Sequence, residues 1–265
     1  GLIANSLSLL ADAGHNLSDV MGLLVAWGAI RLSRWQPTEK HTYGLRKSSV
    51  LAALFNALFL LVSVGGISWE AIRRFKEPAT VQAGTVIWVA AAGIVINAAT
   101  ALMFRRGRKE DLNVRGAFLH MSADAAISAG VVAAGILISL TGIAWIDPVV
   151  SLLIAGLILI GTWGLLKESV NLALDAAPEN IDPRAVQDYL TGLPEVKDVH
   201  HLHIWGLSTR DAALTAHMVL SRPELNNELL ARIRKELHDR YRIGHATIQF
   251  ELCEKEICLS KRCSL

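Results

Sequence analysis

The chain carries little net charge. Its 26 Lys and Arg residues against 24 Asp and Glu leave a formal +2, so a nucleic-acid partner has no electrostatic basis in the total. Cysteine is scarce too: Cys253, Cys258 and Cys263 crowd the last thirteen residues, with none before them. In a tail that the topology below puts in the cytoplasm they are expected to be reduced, which argues against a disulfide framework and leaves metal ligation open. No His-Glu-x-x-His sequence occurs, and no long histidine-rich loop.

What the chain has instead is apolar sequence. Hydrophobic residues make up 52% of it, and mean hydropathy is +0.38. The composition changes near residue 177, from long apolar runs to polar residues alternating with short apolar segments. Five runs, near 4–32, 48–72, 82–104, 116–140 and 147–167, reach the roughly 20 residues that a bilayer requires. These are expected to be helices, because lone strands cannot satisfy their backbone in lipid. Trp69, Trp88, Trp145 and Trp163 near their ends suit the membrane interface.

Basic residues set the orientation. Arg31, Arg34, Lys40, Arg46 and Lys47 follow the first span, and Arg105, Arg106, Arg108, Lys109 and Arg115 follow the third. The loop after the second has only Arg73, Arg74 and Lys76, and Thr141–Ile146 has none. Ten cations against three put the two rich loops, and the C-terminal region, in the cytoplasm. Five spans would leave Gly1 outside, so a further preceding span is expected. The sequence predicts a transmembrane domain over 1–177 and a small α+β cytoplasmic domain over 178–265, of order αββαβ, with a cysteine-containing tail. In the second, Asp182 caps a helix through about Leu190, with Pro183 at its first position. Strands are expected at Val196–Leu207, Ala212–Leu220 and Thr247–Leu252, and an amphipathic helix at Glu224–Tyr241.

Ionisable groups inside a membrane are costly and mark function. The span interiors hold two histidines, His15 and His120, each followed four residues later by an aspartate, Asp19 and Asp124. That spacing puts each pair on one helix face. Two such helices side by side supply two imidazoles and two carboxylates, a tetrahedral set suited to Zn2+. A divalent ion neutralises the two carboxylates; without it they and the histidines attract protons. The pattern therefore predicts exchange of metal for protons. Asp12 shares the stripe of His15 and Asp19 and reads either as part of the path or proton relay or as a helix-start residue. Asn16 and Ser128 are adjacent polar groups, and Asn56 and Asn97 read as interhelical hydrogen-bond formers. Two other readings of the pairs are an intramembrane metalloenzyme, which needs an open coordination position, and a nontransporting zinc sensor.

The string from Asn5 to Asp19, Asn-Ser-Leu-Ser-Leu-Leu-Ala-Asp-Ala-Gly-His-Asn-Leu-Ser-Asp, with His120-Met-Ser-Ala-Asp124 and Trp145-Ile-Asp-Pro148, resembles the cation diffusion facilitator family in its zinc-exporting branch. In the soluble part, Val199-His-His-Leu-His-Ile-Trp205, Ala216-His217 and His245-Ala-Thr-Ile-Gln-Phe-Glu251 extend the resemblance along essentially the whole chain. The resemblance implies a homodimeric, proton-coupled exporter with six spans and a metallochaperone-like cytoplasmic domain, rather than an enzyme. It assigns the transport site to His15, Asp19, His120 and Asp124. It also points to His203, His217, His245 and Glu251 as a cytoplasmic zinc site, with His200 as an alternative ligand and Cys258 and Cys263 as tail ligands. Strand alternation predicts that His200, His201 and His203 cannot all face one ion. The loop holding His41 matches a further metal site of some relatives, with fewer histidines. Lys47 and Asp175 match a charge pair at the dimer junction, or are two solvated charges. Compactness suggests a bacterial inner membrane.

Overall fold

The computed structural model describes residues 2–77, 79–105, 112–221 and 227–252, without the side chains of 104, 112–117 and 252. Cys253, Cys258 and Cys263 lie outside the described residues, as do Arg106, Arg108 and Lys109 of the second basic loop and Glu224 at the expected start of the last helix. Five long helices come first: α1 (Leu7–Ser33), α2 (Ser48–Lys76), α3 (Ala83–Phe104), α4 (Leu112–Thr141) and α5 (Ile146–Ala173). Then follow α6 (Pro183–Thr191), β1 (Val196–Gly206), β2 (Ala212–Leu220), α7 (Asn227–Asp239) and β3 (Ile243–Leu252). The fold is an α-helical membrane bundle with a small α+β domain.

By length and composition, four of the long helices can cross a membrane: Ser48–Lys76, Ala83–Met103, Phe118–Thr141 and Ile146–Ala173. Helix α1 is as long but falls short of that measure, because His15, Asn16 and Asp19 interrupt its apolar sequence. Many large apolar side chains point outward, Trp88 at 79% exposure and Ile160 at 76% among them. In water such a surface would drive association; against lipid tails it needs no cover.

Contacts divide the chain into two compact units, residues 1–24 with 55–164, and residues 25–54 with 165–265. The first has a core of Leu9, Leu60, Val64, Val86, Val131, Ile154 and Ile158. Its α3 and α4 run antiparallel at close range. A Cβ on Gly93 would meet Ser128 Oγ at 3.2 Å, and one on Gly135 would meet Ile87 Cγ1 at 2.9 Å. Glycine at these crossings lets the backbones approach.

In the second unit, β1 and β2 form an antiparallel hairpin and β3 joins β2 in parallel, so β2 is the central strand. The parallel step needs a crossover, which α7 supplies. Val186 and Leu190 of α6 and Leu229, Ile233 and Leu237 of α7 pack onto the sheet with Ile204, Leu214 and Met218. Asp182 caps α6, accepting the Arg184 N–H at 2.9 Å. Strand β3 starts at Ile243, before the expected Thr247, since ladder pairing with Ala212 and Ala213 carries it through Gly244.

Candidate metal centre

Helices α1 and α4 each present a histidine and an aspartate one turn apart, and the two pairs interlock. His15 Nε2 lies 3.7 Å from Asp19 and 3.5 Å from Asp124 across the helix gap. His120 Nε2 lies 3.3 Å from Asp19 and 3.6 Å from Asp124. Each histidine thus faces both carboxylates, and the imidazole rings stand edge-on, 6.1 Å apart. Donor atoms of His15, Asp19 and Asp124 fall within 4.8 Å of one another; His120, at 47% side-chain exposure, completes the group from the open side. Asp124 is almost wholly buried. His15 Nδ1, Asp19 Oδ2 and Asp124 Oδ2 are buried without a hydrogen-bond partner, and buried polar atoms rarely stay unpaired. A divalent cation matches this donor set in charge and in ligand type.

Asp12 is also buried and accepts the Ser128 hydroxyl at 2.9 Å, with Asn16 Nδ2 3.3 Å from its other oxygen. Gly93 makes room for both: its Cβ position lies 3.9 Å from Asp12 Oδ2. Asp12 thus sits beside the four-residue group, held by neutral donors.

Sequence reasoning missed a second buried carboxylate. Asp147, fully buried, accepts the Leu7 and Ser8 N–H groups at 2.6 and 3.1 Å and the hydroxyls of Ser6 and Ser8, both at 2.6 Å. It therefore caps α1 from the start of α5. Arg74 approaches it to 3.7 Å and donates to the Asn5 carbonyl and side chain at 2.7 and 2.8 Å. The available signal was the acid at the head of an apolar run in Trp145-Ile-Asp-Pro148.

In the sheet, the expected His203, His217, His245 and Glu251 do not converge. Glu251 bridges His217 Nδ1 at 2.6 Å and His200 Nε2 at 3.2 Å, so His200 takes the third place. His203 pairs with Thr215, while His245 pairs with Ala213 and stands edge-on to Tyr43, 5.4 Å between centroids. The alternation expected of His200, His201 and His203 also fails. One extra residue on β1 between His200 and His203 makes a bulge, and His201 adopts φ +50°. The bulge leaves the His200 and His201 rings 5.4 and 5.1 Å from His217. His41 is exposed in a tight turn, its carbonyl accepting from Thr38 and Gly44, and joins no ligand cluster among the described residues. Lys47 and Asp175 form an ion pair. Beside it Arg46 faces Asp211 at 3.9 Å and Ser49 accepts the Thr209 N–H at 3.2 Å.

Residues 1–172 match the family model of the cation efflux transmembrane domain, and residues 178–253 that of the cation efflux protein cytoplasmic domain. The chain belongs to the cation efflux family. It is a multi-pass membrane protein with a cytoplasmic domain, in a family of transporters rather than enzymes. The zinc transporter ZitB of Pectobacterium atrosepticum is 39% identical to this cation efflux protein over 262 residues, 97% of this chain and 82% of that one. The metal cation efflux system protein CzcD of Cupriavidus metallidurans is 38% identical over 260 residues, 96% and 82% of the two chains. The cadmium, cobalt and zinc/H(+)-K(+) antiporter of Bacillus subtilis is 35% identical over 257 residues, 95% and 82%. A solved metal-bound C-terminal domain of the Cupriavidus CzcD transporter is 39% identical, covering 27% of this chain and all of that one; its TM-score of 0.25 carries no structural argument.

Proposed function

We propose that this cation efflux protein exports a divalent metal ion, Zn2+ foremost, from the cytoplasm in exchange for protons. The ion binds His15, Asp19, His120 and Asp124. One observation carries the reading: the histidine nitrogens stand 3.3–3.7 Å from the carboxylate oxygens. In a tetrahedral zinc site with bonds of about 2.0–2.1 Å, neighbouring ligand atoms are about 3.3–3.4 Å apart. The described site is already close to that size, so an ion enters without large rearrangement.

The charge balance supports exchange. Two carboxylates and one divalent cation sum to zero, which a low-dielectric setting tolerates. When the ion leaves, protons restore neutrality. Asp12, buried beside the group, serves the proton path. Four ligands leave no open position for a catalytic ion, which disfavours intramembrane catalysis. A sensor without transport would leave the α1–α4 group without a role.

The remaining assignments follow. The transmembrane domain is 1–177 and the cytoplasmic domain 178–265. The protein acts as a homodimer in a bacterial inner membrane, in line with its bacterial relatives. His200, His217 and Glu251 take cytoplasmic zinc, with Cys258 and Cys263 as tail ligands, and the Lys47–Asp175 pair stands at the dimer junction. Zinc flux into sealed vesicles holding the reconstituted protein tests the function. Uptake should need Asp124, being lost in Asp124→Ala, and should follow an imposed pH gradient. Flux indifferent to the gradient would refute exchange, and flux surviving Asp124→Ala would refute the site.

A further inference from the structure

The antiparallel α3–α4 crossing has a register that can be read from its glycines. Gly93 stands opposite Ser128, and Gly135 opposite Val86 and Ile87. One turn onward from Gly93 on α3 is Asn97; one turn back from Ser128 on α4 is Asp124. Four-residue steps stay on one helix face, so Asn97 and Asp124 occupy facing positions in the same seam. Both are buried, at 7% and 1% exposure. Each also has a buried polar atom without a hydrogen-bond partner: Nδ2 of Asn97, a donor, and Oδ2 of Asp124, an acceptor. No hydroxyl or amide on α1 or α4 takes up the Asn97 donor among the described residues.

We propose that Asn97 is a positioning residue of the metal site, which donates its side-chain N–H to the Asp124 oxygen turned away from the ion. The inference rests on the transport site proposed above. Two complementary unpaired atoms at facing buried positions are costly apart and satisfied together. A carboxylate that ligates a metal through one oxygen is commonly held by a hydrogen bond to the other. That bond fixes the carboxylate's orientation, and its loss costs about 10–100-fold in metal affinity. No other amide on α3 has this register: Asn97 lies on the Gly93 stripe, where the backbones come closest. It would thus adjust Asp124 from a third helix, one that contributes no ligand.

The test uses the purified full chain, with zinc alone as the probe. Calorimetric zinc affinity is measured in detergent, and the half-saturating zinc concentration and maximal rate are measured in vesicles. Asn97→Leu, of similar size without a donor, should weaken zinc binding about 10-fold or more and raise the half-saturating concentration in parallel, leaving the maximal rate within about twofold. Asn97→Gln, which keeps the donor, should recover much of the affinity. In an Asp124→Asn background, Asn97→Leu should have little further effect, since the two act as a unit. Zinc affinity of a folded Asn97→Leu protein within twofold of wild type would overturn the assignment, as would a full additional loss in the Asp124→Asn background. If Asn97→Leu fails to fold, Asn97→Ser, smaller and with a donor in reach only through water, is read against Asn97→Gln in the same way. Wild-type protein that neither binds nor moves zinc would instead remove the transport function, and this inference with it.

Discussion

Asp147→Ala should destabilise the protein more than most single substitutions, although Asp147 is remote in sequence from every proposed ligand. The carboxylate accepts four hydrogen bonds, two from backbone N–H groups and two from hydroxyls, and has Arg74 3.7 Å away. Hydrogen bonds to a charged group contribute about 1.5–3 kcal/mol each in isolation, but four on one carboxylate are not additive. Losing a helix cap costs about 0.5–2 kcal/mol, and removing one partner of a buried ion pair costs about 3–5 kcal/mol. The last effect includes most of the others, so about 3–5 kcal/mol is expected for Asp147→Ala. Asp147→Asn keeps the shape and one acceptor, and should lose roughly half as much. The assay is thermal unfolding in detergent followed by tryptophan fluorescence, in which a loss of this size shifts the midpoint by about 10 °C. A shift below about 2 °C for the alanine variant, or an asparagine variant worse than alanine, would refute the account of Asp147 as the cap of α1.

Other substitutions probe separate parts of the molecule. Glu251→Gln should weaken zinc binding by the cytoplasmic domain about 10-fold or more, since Glu251 bridges both histidines there; calorimetry on the Asp124→Ala background isolates that site. Deleting His201 should remove the bulge and abolish the same binding while the sheet is retained, as circular dichroism would verify. Gly22→Ala brings a Cβ to 2.6 Å from Asn56 Oδ1 and should cost about 1–3 kcal/mol by overpacking, read in the same unfolding assay. The Arg232 guanidinium, 2.8 Å from Glu195, holds that carboxyl below its ordinary range. The pair's small stabilisation is therefore present above the unfolded carboxyl value and lost as pH falls through the lower folded one; in Arg232→Ala, NMR titration should find Glu195 back in its ordinary range.

The sequence reveals those features whose cause is local. His15 with Asp19, and His120 with Asp124, are legible because a four-residue spacing already implies one helix face. Asp182 as a cap is legible because its partner is two residues away. Asp147 escapes because the N–H groups it accepts lie about 140 positions earlier in the chain. The bulge at His201 escapes because strand alternation is a property of one strand, whereas a bulge exists only in the register between two. His203 and His245 were chosen by likeness of motif, and the ladder turns one toward Thr215 and the other toward Tyr43. Asn97 was legible as a polar group in a span, but its facing residue needed the glycine crossings of α3 and α4.

The polarity of α1 has a consequence for how the protein is made. An aspartate near the middle of a membrane helix opposes insertion by about 2.5–3.5 kcal/mol, and a leucine favours it by only about 0.3–0.6 kcal/mol, so Asp12 and Asp19 together cancel on the order of ten leucines. Alone in a bilayer, α1 has no net reason to stay. What retains it is supplied by later segments: Ser128 of α4 for Asp12, and Asp147 of α5 for its first turn. Of the long helices described, α1 leaves the ribosome first and should be the last to seat. Biogenesis would then wait on α5, and a chain truncated before Asp147 should leave its earliest helix exposed to quality control.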